Sequence, residues 1–484
     1  MRHDDPVPPV LFPAAGSAER RWLARLKEAG RIRAVGPRLY ASVPDRKLAE
    51  AVRGSWSTIV ARLFPRALIS HRTALEFTPT AAGEIFLTAT TNRVVRYPGL
   101  RLTFLRGPGP LADDPKFLTV RSSSRPRAFL ENLAVSRAGS RARILPIEEL
   151  EQRLEQLLHV EGEQALNQLR DRAREIAAQL GWKRAFARLD GLIGAFLGTR
   201  PGQVTSALGI ARAAGEPFDP ACLARLQLLF GELRTRPLPE LPDTFSAPDH
   251  VRNKAFFEAY FSNYIEGTRF GIEEAEQIVF ERKVPTKRPK DAHDILGTFR
   301  LVSDPVEMRK TPQRFDHLVQ LLGARHATLM AQRPEAEPGT FKQAPNRAGD
   351  THFVDPEYVR GTLRKGMELY ADLGVGLPRA IFLMFLVTDV HPFVDGNGRI
   401  ARIMMSAELV SAGRSTIIIP TVYRDDYVLA LRALTRRHRP GPLVAALVAA
   451  QQLSNLEFTS YPAILKELQR RNWFREPDEA RIVI

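Results

Sequence analysis

An eight-residue apolar run, Ala380–Val387, leads within four residues into His391-Pro392 and then Asp395-Gly396-Asn397-Gly398-Arg399. Few local patterns restrict a chain so tightly. The run has the composition of a helix buried on all sides. Pro392 ends it, because proline lacks an N–H and disfavours helical geometry in the residue before it. Asp395–Gly398 predicts a small-residue loop, with a new helix over Arg399–Ser411. Glycines there let main-chain N–H groups converge, and a helix N-terminus favours an anion. Arg399 and Arg402 lie three apart and project from one face. Their planar guanidinium groups suit phosphate, to which they donate bidentately. Asp395 beside such a nest repels phosphate unless a cation bridges the two. Mg²⁺ held by one carboxylate and by substrate phosphates resolves that conflict. His391 titrates near neutrality and can take a proton from an attacking hydroxyl. Read from the residues alone, the stretch is a nucleotide polyphosphate site with a general base at its edge.

The rest of the chain gives this site a setting. At 484 residues about three structural units are expected. The apolar runs stop at eight residues, far below the ~18 of a membrane span. One cysteine, Cys222, excludes an internal disulfide and points to a reducing compartment. Asp4 and Asp5 followed by Pro6, Pro8 and Pro9 do not make a secretory leader. A soluble cytoplasmic protein with no membrane partner is expected, and self-association is left open. Charge is uneven: residues 1–150 hold 25 Lys+Arg against 13 Asp+Glu, while 151–484 hold 45 against 41. Three quarters of the net +16 thus sits in under a third of the chain, which points to a polyanionic partner for that part.

Within the basic part, Arg20–Ala29 has helical spacing and Arg31–Ser42 alternates around a Gly-Pro turn. Ala51–Phe64 is expected to be helical. Strands are expected at Glu84–Thr90, Arg93–Tyr97 and Leu100–Gly107, separated by Thr91-Asn92 and Pro98-Gly99 turns. The runs EAGRIRAVGPRLYASVP, ALISHRTALEF and YPGLRL resemble transcriptional-regulator antitoxins of the AbiE type, over about the first 120 residues. That resemblance implies a winged-helix module and, with the charge, duplex DNA as a partner of residues 1–125.

Residues 126–245 read as a helical connector, with stripes at Leu150, Leu154, Leu157 and Leu158 and at Leu166, Leu169, Ala173, Ile176 and Leu180. Pro237, Pro239, Pro242 and Pro248 mark an extended linker and the expected domain boundary. Helical periodicity resumes at Arg252–Tyr264, Ile272–Phe280, Phe315–Met330, Pro356–Leu373, Pro378–Val390 and Tyr427–Arg436. Arg282–Lys290 reads as a basic connector, and 461–484 as a tail.

The spacing His391-x-Phe393-x-Asp395-Gly396-Asn397-Gly398-Arg399-x-x-Arg402 is the signature of Fic proteins, with every position matched. The resemblance covers residues 246–460. It implies a mainly α fold: an all-helical core with a β-hairpin flap, preceded here by the small α+β module. It also implies a protein adenylyltransferase that moves AMP from ATP to a Ser, Thr or Tyr hydroxyl of a target protein. His391 is then the base and Asp395 the Mg²⁺ ligand. Phe393 is a core anchor. Gly396, Asn397 and Gly398 form the anion hole, with Arg399 on the β-phosphate and Arg402 on the γ-phosphate. Pro338–Lys342, through Asn346 to Phe353, resembles the flap that holds the target by β-augmentation, with Lys342 where many members have arginine. Tyr423 and Tyr427 resemble residues lining the adenine pocket. Upstream, Ser262-Asn263-Tyr264-Ile265-Glu266-Gly267 matches the inhibitory Ser/Thr-x-x-x-Glu-Gly/Asn pattern. Ser262 and Glu266 share one helix face, and by resemblance Glu266 pairs with Arg402 and denies it to ATP. The same glutamate could orient a water for AMP removal. The other function class consistent with these features is a DNA-binding regulator whose Fic half senses nucleotide or modifies a partner.

Overall fold

The computed structural model describes residues 7–13, 16–134, 141–199, 204–245, 247–349 and 351–483. Asp4, Asp5 and Pro6, part of the argument against a leader, lie outside them. So does Asp350, within the expected flap. The chain is mainly helical and divides into two compact units, Met1–Gly215 and Glu216–Ile484. Among the described residues no helix is long and apolar enough to cross a membrane.

In the first unit, helix Ser17–Glu28 is followed by the antiparallel strands Arg33–Gly36 and Leu39–Ala41. Val10–Leu11 completes that small sheet, pairing with Leu39–Ala41. The region expected as one helix at Ala51–Phe64 is two, Asp45–Gly54 and Trp56–Leu63, broken at Ser55. The three expected strands form as Glu84–Ala89, Arg93–Tyr97 and Leu100–Arg106. They are not a simple meander. Leu100–Arg106 pairs in parallel with Glu84–Ala89, leaving Arg93–Tyr97 on the outer edge of a six-stranded sheet. Burial explains the order: Leu102 and Phe104 are buried, whereas Arg93, Val94 and Arg96 face solvent. The two leucine stripes meet at Gly162, whose φ of 81° breaks the span Ile147–Leu180 between them.

The second unit is built around helix Leu377–Val390. Residues 380–387 are all fully buried, as the uninterrupted apolar run requires. Helices Asn397–Ser411, Pro356–Ala371 and Pro220–Thr235 pack against it. Pro220–Thr235 therefore belongs with the second unit, and the division falls at Gly215/Glu216 rather than in the proline-rich linker. Cys222, Leu226, Leu229 and Leu233 enter that core, and Arg225 Nε donates to Asp389 at 2.9 Å. Gly361 lets the chain entering this helix come close, since a Cβ there would overlap the Pro217 carbonyl. The linker is extended but not free: Ser415 N–H donates to Leu241 O, and Asp243 N–H to Gly413 O.

Residues 461–484, expected as a tail, supply a helix, Tyr461–Arg470, and bury Ile464, Leu468 and Trp473. Phe474 and Trp473 pack on Phe261, and Tyr264 donates to Glu476 at 2.8 Å. This segment thus fixes the helix that carries Ser262 and Glu266. Arg282–Lys290 is a connector only as far as Pro289, which occupies the first turn of helix Pro289–Val302.

Candidate active site

Helix Leu377–Val390 ends at His391, whose φ of 53° makes it a left-handed cap. Phe393 is fully buried, its ring flat against His326 (centroids 3.7 Å apart) and edge-on to Phe341 (5.3 Å). Asn397 brackets the same residue: its Oδ1 accepts from Phe393 N–H at 2.9 Å and its Nδ2 donates to Phe393 O at 2.8 Å. The Asn397 side chain therefore shapes the loop, and only its main chain is left for an anion. Gly396, with φ of 75°, turns the chain into helix Asn397–Ser411.

His391 is half-buried, stacked on Phe353 with centroids 3.6 Å apart. Its Nδ1 lies 3.3 Å from the Thr388 carbonyl. A carbonyl only accepts, so Nδ1 carries the proton and Nε2 keeps its lone pair. Desolvation lowers its pKa to about 4, keeping the ring neutral at physiological pH. The flap forms as the hairpin Arg347–Ala348 and Thr351–His352. Lys342 is buried, its N–H donating to Pro392 O and its Nζ to Asn346 Oδ1, while burial lowers its pKa to about 8.

The two arginines have different surroundings. Arg402 donates from Nε to Ser262 Oγ (3.0 Å), and from Nη2 to Ser262 O (2.9 Å) and Glu266 Oε1 (2.7 Å). Its side chain is 8% exposed against 32% for Glu266, so the carboxylate is the wetter partner. A Cβ on Gly398 would overlap that carboxylate, so Glu266 lies directly over the first turn of the helix. Gly267, with φ of 91°, turns the chain after Glu266. Arg399 is buried, with Nη1 at 2.7 Å from Asp294 and Nη2 at 3.8 Å from Asp395. It is held beneath the loop by Asp294, which also binds Arg333. Asp395 is 59% exposed and accepts from Gly396 N–H.

Tyr427 is buried with its hydroxyl 3.5 Å from Met384 Sδ, and half-buried Tyr423 donates to Ala446 O at 3.2 Å. The Tyr427 side chain also hydrogen-bonds Arg402, so it meets the motif through that cation. Sequence reasoning missed Asp294 and His326, which touch the motif from distant segments, and placed Phe353 in the flap without its stack on His391. Among the described residues no group of three or more His, Cys, Asp or Glu could hold a metal. One exposed carboxylate beside an anion nest still fits Mg²⁺ that arrives with phosphates and keeps several waters.

Residues 316–409, which carry this loop and both flanking helices, match the model of the Fic/DOC family. Protein adenylyltransferase fic-1 of Caenorhabditis elegans is 23% identical over 212 residues, covering 40% of this chain and 41% of that protein. Protein adenylyltransferase Fic of Nematostella vectensis is 25% identical over 189 residues, covering 37% and 42%. The chain thus spans about two fifths of the length of these curated relatives. A solved structure of Fic-1 from C. elegans superposes with a TM-score of 0.38 at 17% identity, covering 66% of this chain and 94% of that one. The site-bearing segment is thus similar to the Fic/DOC family and to these adenylyltransferases.

Proposed function

We propose that the second unit is a cytoplasmic, autoinhibited protein adenylyltransferase. The observation that carries this is the meeting of a neutral histidine with a free Nε2, an exposed aspartate, and a glycine-bearing helix N-terminus with Arg402 in its second turn. A target hydroxyl oxygen attacks the α-phosphorus of ATP while its proton passes to His391 Nε2. The α–β bridging P–O bond breaks and pyrophosphate leaves, so the target gains AMP as a phosphodiester. Mg²⁺, when bound, would be held by Asp395 and supply positive charge to the phosphate oxygens. Main-chain N–H groups of Gly396, Asn397 and Gly398 add to that charge stabilisation. The expected role of Arg402 on the γ-phosphate requires Glu266 to move off it, and that of Arg399 on the β-phosphate requires its pairing with Asp294 to open. Glu266 over Gly398 and on Arg402 is the autoinhibited arrangement, and the same carboxylate orients water if AMP is removed.

The chemistry is tested by offering the Glu266→Gly protein and cell lysate ATP labelled at either the α- or the γ-phosphate, with Mg²⁺. Protein-bound label from the α position alone is expected. Incorporation from γ would mean a kinase-type transfer and overturn AMP as the group moved.

A second reading concerns residues 1–125 and is favoured by the exposed arginines around the small sheet and the outer strand, Arg31, Arg38, Arg93 and Arg96 among them. In that reading a winged-helix module binds duplex DNA and brings the transferase to its place of action. Binding of the full chain to a duplex should weaken by orders of magnitude between 50 and 200 mM salt. No binding at low salt removes it.

A further inference from the structure

One buried histidine outside the motif touches both the loop and the base of the flap. His326, on helix Phe315–Leu329, has no exposure, and its ring lies on Phe393 with an interplanar angle of 3°. Its Nδ1 accepts the N–H of Gly339 at 2.9 Å, where the flap segment departs. Its Nε2 lies 3.0 Å from the carbonyl of Asp395. The amide can only donate and the carbonyl only accept, so the ring is neutral with its proton on Nε2. Gly339 has φ of 83°, and a Cβ on Gly396 would come within 3.6 Å of the same ring. Both connected corners are therefore tight turns.

Other contacts run the same way. Lys342 N–H donates to Pro392 O, and Asn346 Nδ2 to Phe393 O, both at 2.9 Å, while Phe353 lies on His391. Flap segment and loop thus form one block. Within it His326 accepts on one edge and donates on the other, and so ties the Gly339 amide to the Asp395 carbonyl. A core-filling aromatic needs neither ability, and a plain apolar residue would leave a buried amide and a buried carbonyl unpaired.

We propose that His326 is a positioning residue that locks the base of the flap to the Asp395–Gly396 corner, so that the target hydroxyl and the phosphates are held in one frame. This deepens the transferase reading above and rests on it. Misplacing reacting groups by about 1 Å costs about 10²-fold in rate, which sets the scale of the expected effect.

The test uses the full chain carrying Glu266→Gly, alone and with H326F or H326Q. Phenylalanine keeps the stack on Phe393 and loses both hydrogen bonds. The glutamine amide restores one acceptor and one donor. H326F is expected to lower kcat for α-label transfer about 10–100-fold with KM for ATP changed less than about threefold, and H326Q to recover to within about fivefold of the parent. Amide exchange at Gly339 and across residues 392–396 should quicken in H326F while helix Leu377–Val390 stays protected. H326Q as slow as H326F, or unchanged exchange at Gly339 in H326F, overturns the proposal. If H326F does not fold, H326Q decides: parental protection of Gly339 and a rate within fivefold support it, and any larger loss overturns it. Absence of label in all three proteins, with the exchange difference present, removes the transferase reading and leaves the flap–loop lock standing. Label in the parent without any exchange difference removes the lock alone.

Discussion

His391→Ala, introduced into the Glu266→Gly protein, is expected to lower α-label transfer by about 10²–10⁴-fold, the range over which a positioned general base acts. The expectation follows from the cap geometry. The left-handed turn at His391 and the Thr388 carbonyl fix the ring with Nδ1 protonated, so Nε2 is the proton acceptor without any rearrangement. Alanine removes the base, and Phe353, which follows strand Thr351–His352, loses its stacking partner. Loss of less than about threefold, with folding verified by an unchanged melting curve, would mean that water or another group takes the proton.

The same ring makes a pH statement whose sign is fixed. Burial lowers its pKa to about 4 from the ordinary 6.5, and the base works only when unprotonated. The acid limb of kcat/KM, which reports the unliganded enzyme, should therefore be half lost near pH 4 and nearly flat from 6 to 8. A midpoint near 6.5 would indicate a solvated imidazole that is not stacked on Phe353. Measurement of initial rates at low ATP across that range separates the two.

The loop was legible in the sequence because its chemistry is compressed into twelve residues. Proline, glycine and the arginine spacing dictate where one helix stops and the next begins. The Ser262–Glu266 stripe was legible for the same reason, being one turn of one helix. What lay hidden were the distant partners that no motif marks, Asp294 and His326. Asp294, which holds Arg399, sits on a helix masked at its start by the basic, proline-bearing Arg282–Lys290 stretch. Ala292, Ile295, Phe299 and Val302 do recur at helical spacing there, so the signal was present but overridden by composition. The roles of Asn397 and Arg399 shifted for a related cause. A motif fixes which side chains stand together, and not whether each is already bound to a buried neighbour. The unit boundary was displaced because proline density marks an extended chain, whereas the helix before it buries Leu226, Leu229 and Leu233 in the second unit's core. His326 carried no local sign at all. A lone histidine on an apolar helix face reads as core until the two groups it joins are known.

Glu266→Gly alone is expected to raise α-label transfer, auto-modification included, by about 5–150-fold, the range that corresponds to a coupling of ~1–3 kcal/mol. The carboxylate does two things that ATP must undo. It accepts from Arg402 Nη2 at 2.7 Å, and it fills the space above Gly398 where a phosphate would meet the helix N-terminus. Desolvated Arg402 cannot be left without a partner cheaply, so phosphate and carboxylate compete for one cation. The competition is winnable because the Glu266 side chain is 32% exposed and can move into water, whereas Arg402 is pinned by both the hydroxyl and the carbonyl of Ser262. Ser262→Ala removes one hydrogen bond to Arg402 and leaves Glu266 in place, so its effect should be severalfold smaller than that of Glu266→Gly. Because the competition concerns the pose of the phosphates more than capture of the nucleotide, the gain should appear in kcat with ATP affinity changed less than about threefold. Calorimetry of ATP binding beside single-turnover labelling distinguishes the cases. Equal transfer by the two folded proteins, at matched ATP occupancy, would show that the Glu266–Arg402 pair is only a structural contact. A rise confined to ATP affinity would show that the carboxylate blocks entry rather than alignment.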